Sequence, residues 1–266
     1  MEFTRLSLVS QLDCFQAEVE QFNRDIHSLI LGTLDAAMKF LSGELQQEVA
    51  KLQADIAHTA DGSRDYLRER IDYCRWHYSQ QEKFVRNMAV VSLASRLTHA
   101  LQQMAKFAEP FNPRKKNYGD RSNSEFQRLW IEYTDRFGFD LVSNADMIAF
   151  VEPMRAVRNQ IVHDAGKANP FKAVGDSELS AAWDDMLDLS FSEQYPEFVE
   201  GEGWNAEVRV TKRQLDSMIK DAIALVRWCA QELRQLELAH AVRDDEDNPG
   251  RVPLEFYDPE APLATE

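Results

Sequence analysis

Apolar residues recurring in alternating steps of three and four constrain this chain more than any other feature. From Leu12 they fall at Phe15, Val19, Phe22, Ile26 and Leu29, and the spacing resumes at Leu41, Leu45, Val49, Leu52 and Ile56. Such steps put side chains on one stripe of an α-helix, and a stripe this narrow is the seam of a coiled-coil-like pair. Few helix breakers interrupt residues 10–58, which predicts one very long helix, or two hinged near Gly32 or Gly43, with Gly62 closing the section. A second helical stretch is expected from Ser63, as its N-cap, through Phe84, Met88, Val91, Leu97, Leu101 and Met104 to a stop before Pro110. Two long antiparallel helices would then form a hairpin.

The rest of the chain reads as shorter helices around an irregular stretch. Residues 110–123 combine Pro110, Pro113 and Gly119 with the basic run Arg114-Lys115-Lys116, the signature of an exposed loop. Helices are expected at about 124–136 and, capped by Ser143 or Asn144, at about 145–164, with Gly166 closing the second. Periodicity fails between 170 and 210, where Val208-Arg209-Val210 looks extended and a small hairpin is expected. Thr211 should cap a last helix with the stripe Leu215, Ile219, Ala222, Val226, Cys229 and Leu233. From Val242 the run Asp244-Asp245-Glu246-Asp247 and several prolines suggest a mobile acidic tail. The expected class is all-α. Its organisation would be a long N-terminal helical segment at 1–62, a helical bundle at 63–241 with an irregular excursion at 167–210, and the tail at 242–266.

Composition excludes several classes. The longest apolar run, near Ala89 to Ala94, is far too short for a membrane span, and Glu2 and Arg5 lead into no signal-peptide core, so a cytoplasmic chain without membrane contact is expected. Cys14, Cys74 and Cys229 are odd in number and far apart, which fits reduced, mostly buried thiols. His27, His58, His77 and His99 share no ligand spacing, so neither a metal nor any other cofactor is expected. The net charge of -15 argues against a surface that coats nucleic acid. That charge is uneven, however. Residues 1–170 carry 21 basic and 23 acidic groups, whereas residues 171–266 carry 9 and 22, so a site in the near-neutral part can still hold phosphate locally.

One segment has the chemistry of a site: Arg158-Asn159-Gln160-Ile161-Val162-His163, followed by Asp164-Ala165-Gly166. Arg70 with His77 and Arg234 with His240 share the loose arginine-to-histidine spacing, but neither arginine is followed by asparagine, and both read as incidental. At 158–163 the asparagine supplies an amide able to orient an imidazole or a phosphate oxygen. The histidine falls in a last helical turn, and Met154, Val157, Ile161 and Val162 offer an apolar face to hold the helix firmly. Histidine side chains exchange protons near neutral pH, and arginine presents a fork of donors to a phosphorane's extra charge.

The motif over residues 155–166, set in a helical architecture over 64–240, resembles the HEPN superfamily. The resemblance implies a HEPN-like bundle in which Arg158 and His163 are the catalytic pair and Asn159 the accompanying polar residue. It also implies a metal-independent endoribonuclease of prokaryotic toxin–antitoxin, abortive-infection or phage-defence systems, acting on RNA, with an antitoxin or regulatory protein as a further partner. One HEPN branch carries a tyrosine two residues after the histidine, as a target for modification, and Ala165 stands there in this chain. Five residues span about 500° of helix, so Arg158 and His163 of one chain point apart. A homodimer that brings two pairs to one cleft removes the difficulty, and the family is understood to build its site that way. Arg155 would add charge to that cleft, and Arg114, Lys115, Lys116 and Tyr118 could neutralise and stack on single-stranded RNA. The alternative is a non-catalytic helical scaffold that dimerises through its long helices and binds a basic partner through its acidic C-terminal part.

Overall fold

The computed structural model describes residues 3–59, 61–109, 125–163, 166, 191–201 and 206–247. Within them the fold is all-α apart from one two-stranded ribbon. Helix α1 (Phe3–Asp25) passes through a π-helical turn at Ile26–Leu31 into α2 (Gly32–His58), and α3 (Asp61–Ala108) returns from it. Shorter helices follow as α4 (Glu125–Phe137), α5 (Ala145–Ile148), α6 (Val151–His163) and α7 (Phe191–Gln194). A 3-10 turn at Pro196–Phe198 leads into β1 (Val199–Glu200), which pairs antiparallel with β2 (Glu207–Val208), and α8 (Lys212–Asp247) ends the described chain. No helix among the described residues is long and apolar enough to cross a membrane.

Packing groups the chain into two compact units. One comprises Met1–Ile26, Ser95–Phe150 and Ile219–Glu266, and the other His27–Ala94 and Val151–Met218. The boundaries fall within the long helices, because packing groups segments that lie side by side rather than segments that follow one another in sequence.

The first unit is built around Tyr133. Its hydroxyl donates to the Leu101 carbonyl at 2.9 Å, and its fully buried ring meets Phe137 and Phe139 edge-on, at 5.6 and 4.9 Å. Phe139 in turn packs on Trp228 of α8. Arg136 is buried with its charge met by Glu132, and it donates to the Glu109 carbonyl at 3.2 Å. Phe15, Val19, Phe22 and Ile26 supply the α1 seam as expected, but the next position differs. Leu29 is exposed and Ile30 is buried. The π turn inserts one residue into the helical count, so the stripe continues four residues after Ile26 rather than three. A Cβ on Gly32 would lie 3.2 Å from the His27 carbonyl oxygen, so glycine suits the close approach that this turn makes.

In the second unit α2 and α3 form the expected hairpin, closed by Leu52, Ile71 and Cys74. The reversal is tighter than the sequence suggested. α2 ends at His58, the Thr59 hydroxyl donates to the Asp55 carbonyl at 2.6 Å, and α3 starts at Asp61, so Ser63 lies inside the helix and is not its N-cap. α6 is also shorter than the helix expected over 145–164. Pro153 lacks an N–H and its ring crowds the carbonyl four residues back, so the helix breaks at Ala149 and Phe150 and restarts at Val151. Thr211 caps α8 as expected: its hydroxyl accepts from the Gln214 N–H at 3.2 Å while the Gln214 side chain accepts from the Thr211 N–H at 2.8 Å. Every residue of the expected α8 stripe is buried. The helix continues through Asp247, so the first residues assigned to the acidic tail are helical, and the rest of that tail lies outside the described residues.

Candidate functional site

Arg158, Asn159 and His163 all lie on α6. Val151, Met154 and Val157 recur every third residue, and their burial fixes that face of the helix inward within its unit. The opposite side carries the polar groups. Arg158 and Asn159 are half-buried, and Val162 and His163 are exposed in the last turn. The helix ends at His163, and beyond it Gly166, at φ +76°, donates its N–H back to the Gln160 carbonyl at 3.1 Å, which meets one of the helix's last open acceptors.

That terminus is tied down by a chain of hydrogen bonds which the sequence did not reveal. The Gly166 carbonyl accepts from the Val208 N–H at 2.6 Å. Beyond it, the buried Asn87 side chain on α3 donates to the Val208 carbonyl at 3.0 Å and accepts from the Val210 N–H at 3.3 Å. Lys83, one turn earlier, pairs with both Glu207 and Glu200 across the ribbon. Asparagine on a helix surface is unremarkable in sequence, and only the fold brings it to two backbone groups more than 120 residues away. Asn87→Ala strips both groups of a buried partner and is expected to lower stability by about 1–3 kcal/mol. Denaturant unfolding reads this directly, and a midpoint equal to that of the unsubstituted chain would show that the clamp contributes nothing.

The electrostatics of α6 separate its arginines. Arg158 donates from Nη1 to the Asn159 side-chain oxygen at 2.9 Å and meets no carboxylate among the described residues. Its positive charge is therefore uncompensated there, while the Asn159 contact limits the freedom of the guanidinium. Arg155 behaves differently from the sequence expectation. Both its Nε and an Nη donate to Glu152, and this bonding holds its pKa above the ordinary arginine value. It brings a largely neutralised pair to the site in place of an extra free charge. Tyr195 lies within electrostatic reach of both partners, and its phenol is pushed up in pKa first by burial and then by Glu152. Sequence reasoning missed Tyr195, which sits in the irregular stretch far along the chain. The Glu152 pairing was available in the three-residue spacing of glutamate and arginine.

His163 has no hydrogen-bond partner among the described residues, and its ring is open to an incoming group. No group of three or more metal-ligating side chains occurs among the described residues. Arg114, Lys115, Lys116 and Tyr118, expected to contact RNA, lie outside the described residues, as does Asp164. What α6 offers chemically is a proton-transfer group at an exposed helix end and a guanidinium braced by an amide. The two project about 140° apart around the axis.

No family model, no curated protein and no solved structure matches this chain.

Proposed function

We propose that this protein is a metal-independent, HEPN-type endoribonuclease that works as a homodimer and serves as a prokaryotic toxin or phage-defence effector. The observation that carries the reading is the state of the two motif side chains. Arg158 keeps a guanidinium uncompensated by any described carboxylate, and His163 stands exposed in the same helical terminus. A salt-bridged arginine and a buried histidine would have favoured a purely structural helix.

In the proposed reaction a His163 imidazole removes the ribose 2′-hydroxyl proton, and the 2′-oxygen attacks phosphorus. The bond from phosphorus to the 5′-oxygen breaks, and that oxygen takes a proton from the second histidine or from water. Arg158 and Asn159 neutralise and orient the phosphorane oxygens. Because the pair of one chain points apart, the second copy supplies the missing half of each site. Arg114, Lys115, Lys116 and Tyr118 are proposed to hold flanking RNA, with Arg155 as a secondary contact weakened by Glu152. An antitoxin or regulatory protein would restrain the activity between triggers.

The direct test is expression in a bacterial host. The unsubstituted chain should slow growth and fragment bulk RNA, and His163→Ala should restore both. Intact RNA at equal levels of folded protein would reject the reading in favour of a non-catalytic helical scaffold.

A further inference from the structure

Among the described residues the α2–α3 hairpin buries only part of its apolar surface. Leu52, Ile71 and Cys74 are buried between the helices, yet Leu45, Val49, Ile56 and Leu67 around them stay half-buried, because two helices touch along a single line. A second group of apolar side chains on α3 lies at the surface. Tyr73 is 63% exposed, Trp76 57% and Phe84 64%, and Phe40 on α2 is 65% exposed beside them. The row is continuous: Tyr73 stacks on His77 with ring centroids 6.1 Å apart, and His77, Phe84 and Phe40 border one open groove of about 420 Å³. On the same helix Tyr66 precedes the row and Met88 follows it, and both are exposed. Soluble monomers seldom expose apolar patches beyond a few hundred Å².

We propose that this face is a homodimer interface, in which the hairpins of two copies pack row against row to make a four-helix bundle. Three observations select a second copy as the occupant. The first is area. Five aromatics of about 200 Å² each, near 60% exposed, leave roughly 600 Å² open, close to the roughly 800 Å² per partner of a stable interface.

The second is shape: Tyr73 stacks on His77, which borders the groove together with Ala37, Phe40 and Phe84, and in the proposed dimer a two-fold axis sets the Tyr73 ring of each copy over the groove of the other. The third is charge. Arg68 bridges Asp65, Arg75 bridges Asp72 and Arg86 bridges Glu82, each within one helical turn. These arginines are therefore locally compensated, which suits an identical face better than a nucleic acid or an acidic peptide. This inference does not rest on ribonuclease activity, because the row lies on α2 and α3 and the motif on α6.

The experiment is sedimentation equilibrium of the full chain at micromolar concentration, beside Tyr73→Glu/Phe84→Glu. The unsubstituted chain should sediment at twice the chain mass, and the double variant at the chain mass with the same far-ultraviolet circular dichroism. A milder change, Trp76→Ala, should weaken self-association at least tenfold without loss of helix, which keeps the test meaningful if two glutamates disturb folding. An unsubstituted chain that is monomeric overturns the proposal, including the case in which its own undescribed segments cover the row. So does a dimer that survives the double variant, or one lost only when α6 is altered. Intact RNA in the presence of a row-dependent dimer would reject the ribonuclease reading alone.

Discussion

His163→Ala should lower the rate of RNA cleavage by at least about 100-fold, the lower end of what a positioned general acid–base contributes. Arg158→Ala should cost as much or more, because removing a preorganised donor from developing negative charge is typically worth about 100- to 1,000-fold. Neither change should unfold the protein. Among the described residues the exposed His163 bonds to nothing and Arg158 bonds only to its neighbour Asn159, so stability should move by less than about 0.5 kcal/mol. Arg158→Lys should recover part of the loss, since it keeps the charge and forfeits the fork of donors. Asn159→Ala should fall between, because it frees the guanidinium without removing it. Loss of activity accompanied by a lower unfolding temperature would reassign these side chains to structure.

The second large effect is on stability and concerns Glu237, on the buried side of α8. It is 1% exposed, and neither carboxylate oxygen has a hydrogen-bond partner among the described residues. Burial pushes its pKa from 4.5 up to about 8. The folded chain therefore keeps a proton that the unfolded chain releases above pH 4.5, and folding in that window takes up a proton. Stability contributed by the neutral carboxyl is present at low pH and is lost progressively as pH rises through about 8. Between pH 5 and pH 9 the loss should be on the order of 3 kcal/mol. Glu237→Gln cannot ionise, so its stability should fall much less over that range, and the difference between the two curves isolates this residue from other titrating groups. Parallel curves would show that the carboxyl is solvated or paired.

Much of the architecture was legible because helix formation is local. The seams from Phe15 to Ile26 and from Leu215 to Leu233, the α2–α3 hairpin and the Thr211 cap all follow from spacing within a few residues. What escaped was either a change of phase or a contact between distant segments. The π turn at Ile26–Leu31 adds one residue to the count, and periodicity registers this only afterwards, as Ile30 replaces Leu29 in the core. Pro153 did carry a signal, since proline one turn into a helix disfavours continuation from before it, and the strong apolar pattern around it hid the break. Val242–Asp247 was assigned to the tail on its charge and on the prolines beyond it, yet it contains neither glycine nor proline itself, and α8 runs through it.

The candidate site divides in the same way. Arg158, Asn159 and His163 could be found because they lie within six residues, and the glycine beyond the end of their helix was visible three positions later. The support of that terminus could not be found. Asn87, Val208 and Gly166 come from three separate stretches, and nothing in the neighbourhood of any one of them announces the others. The environment of Arg155 was half legible, with Glu152 in plain view and Tyr195 far along the chain.

The most direct measurement of the central claim offers the purified homogeneous protein a labelled single-stranded RNA and the DNA of the same sequence, both in excess EDTA. Chemistry carried by His163 and Arg158 requires the 2′-hydroxyl and no metal. RNA alone should be cut, leaving a 2′,3′-cyclic phosphate and a 5′-hydroxyl, with the rate falling as salt screens the short-range arginine contacts. Cleavage that stops in EDTA and returns with magnesium or manganese, or equal cutting of DNA, would contradict it.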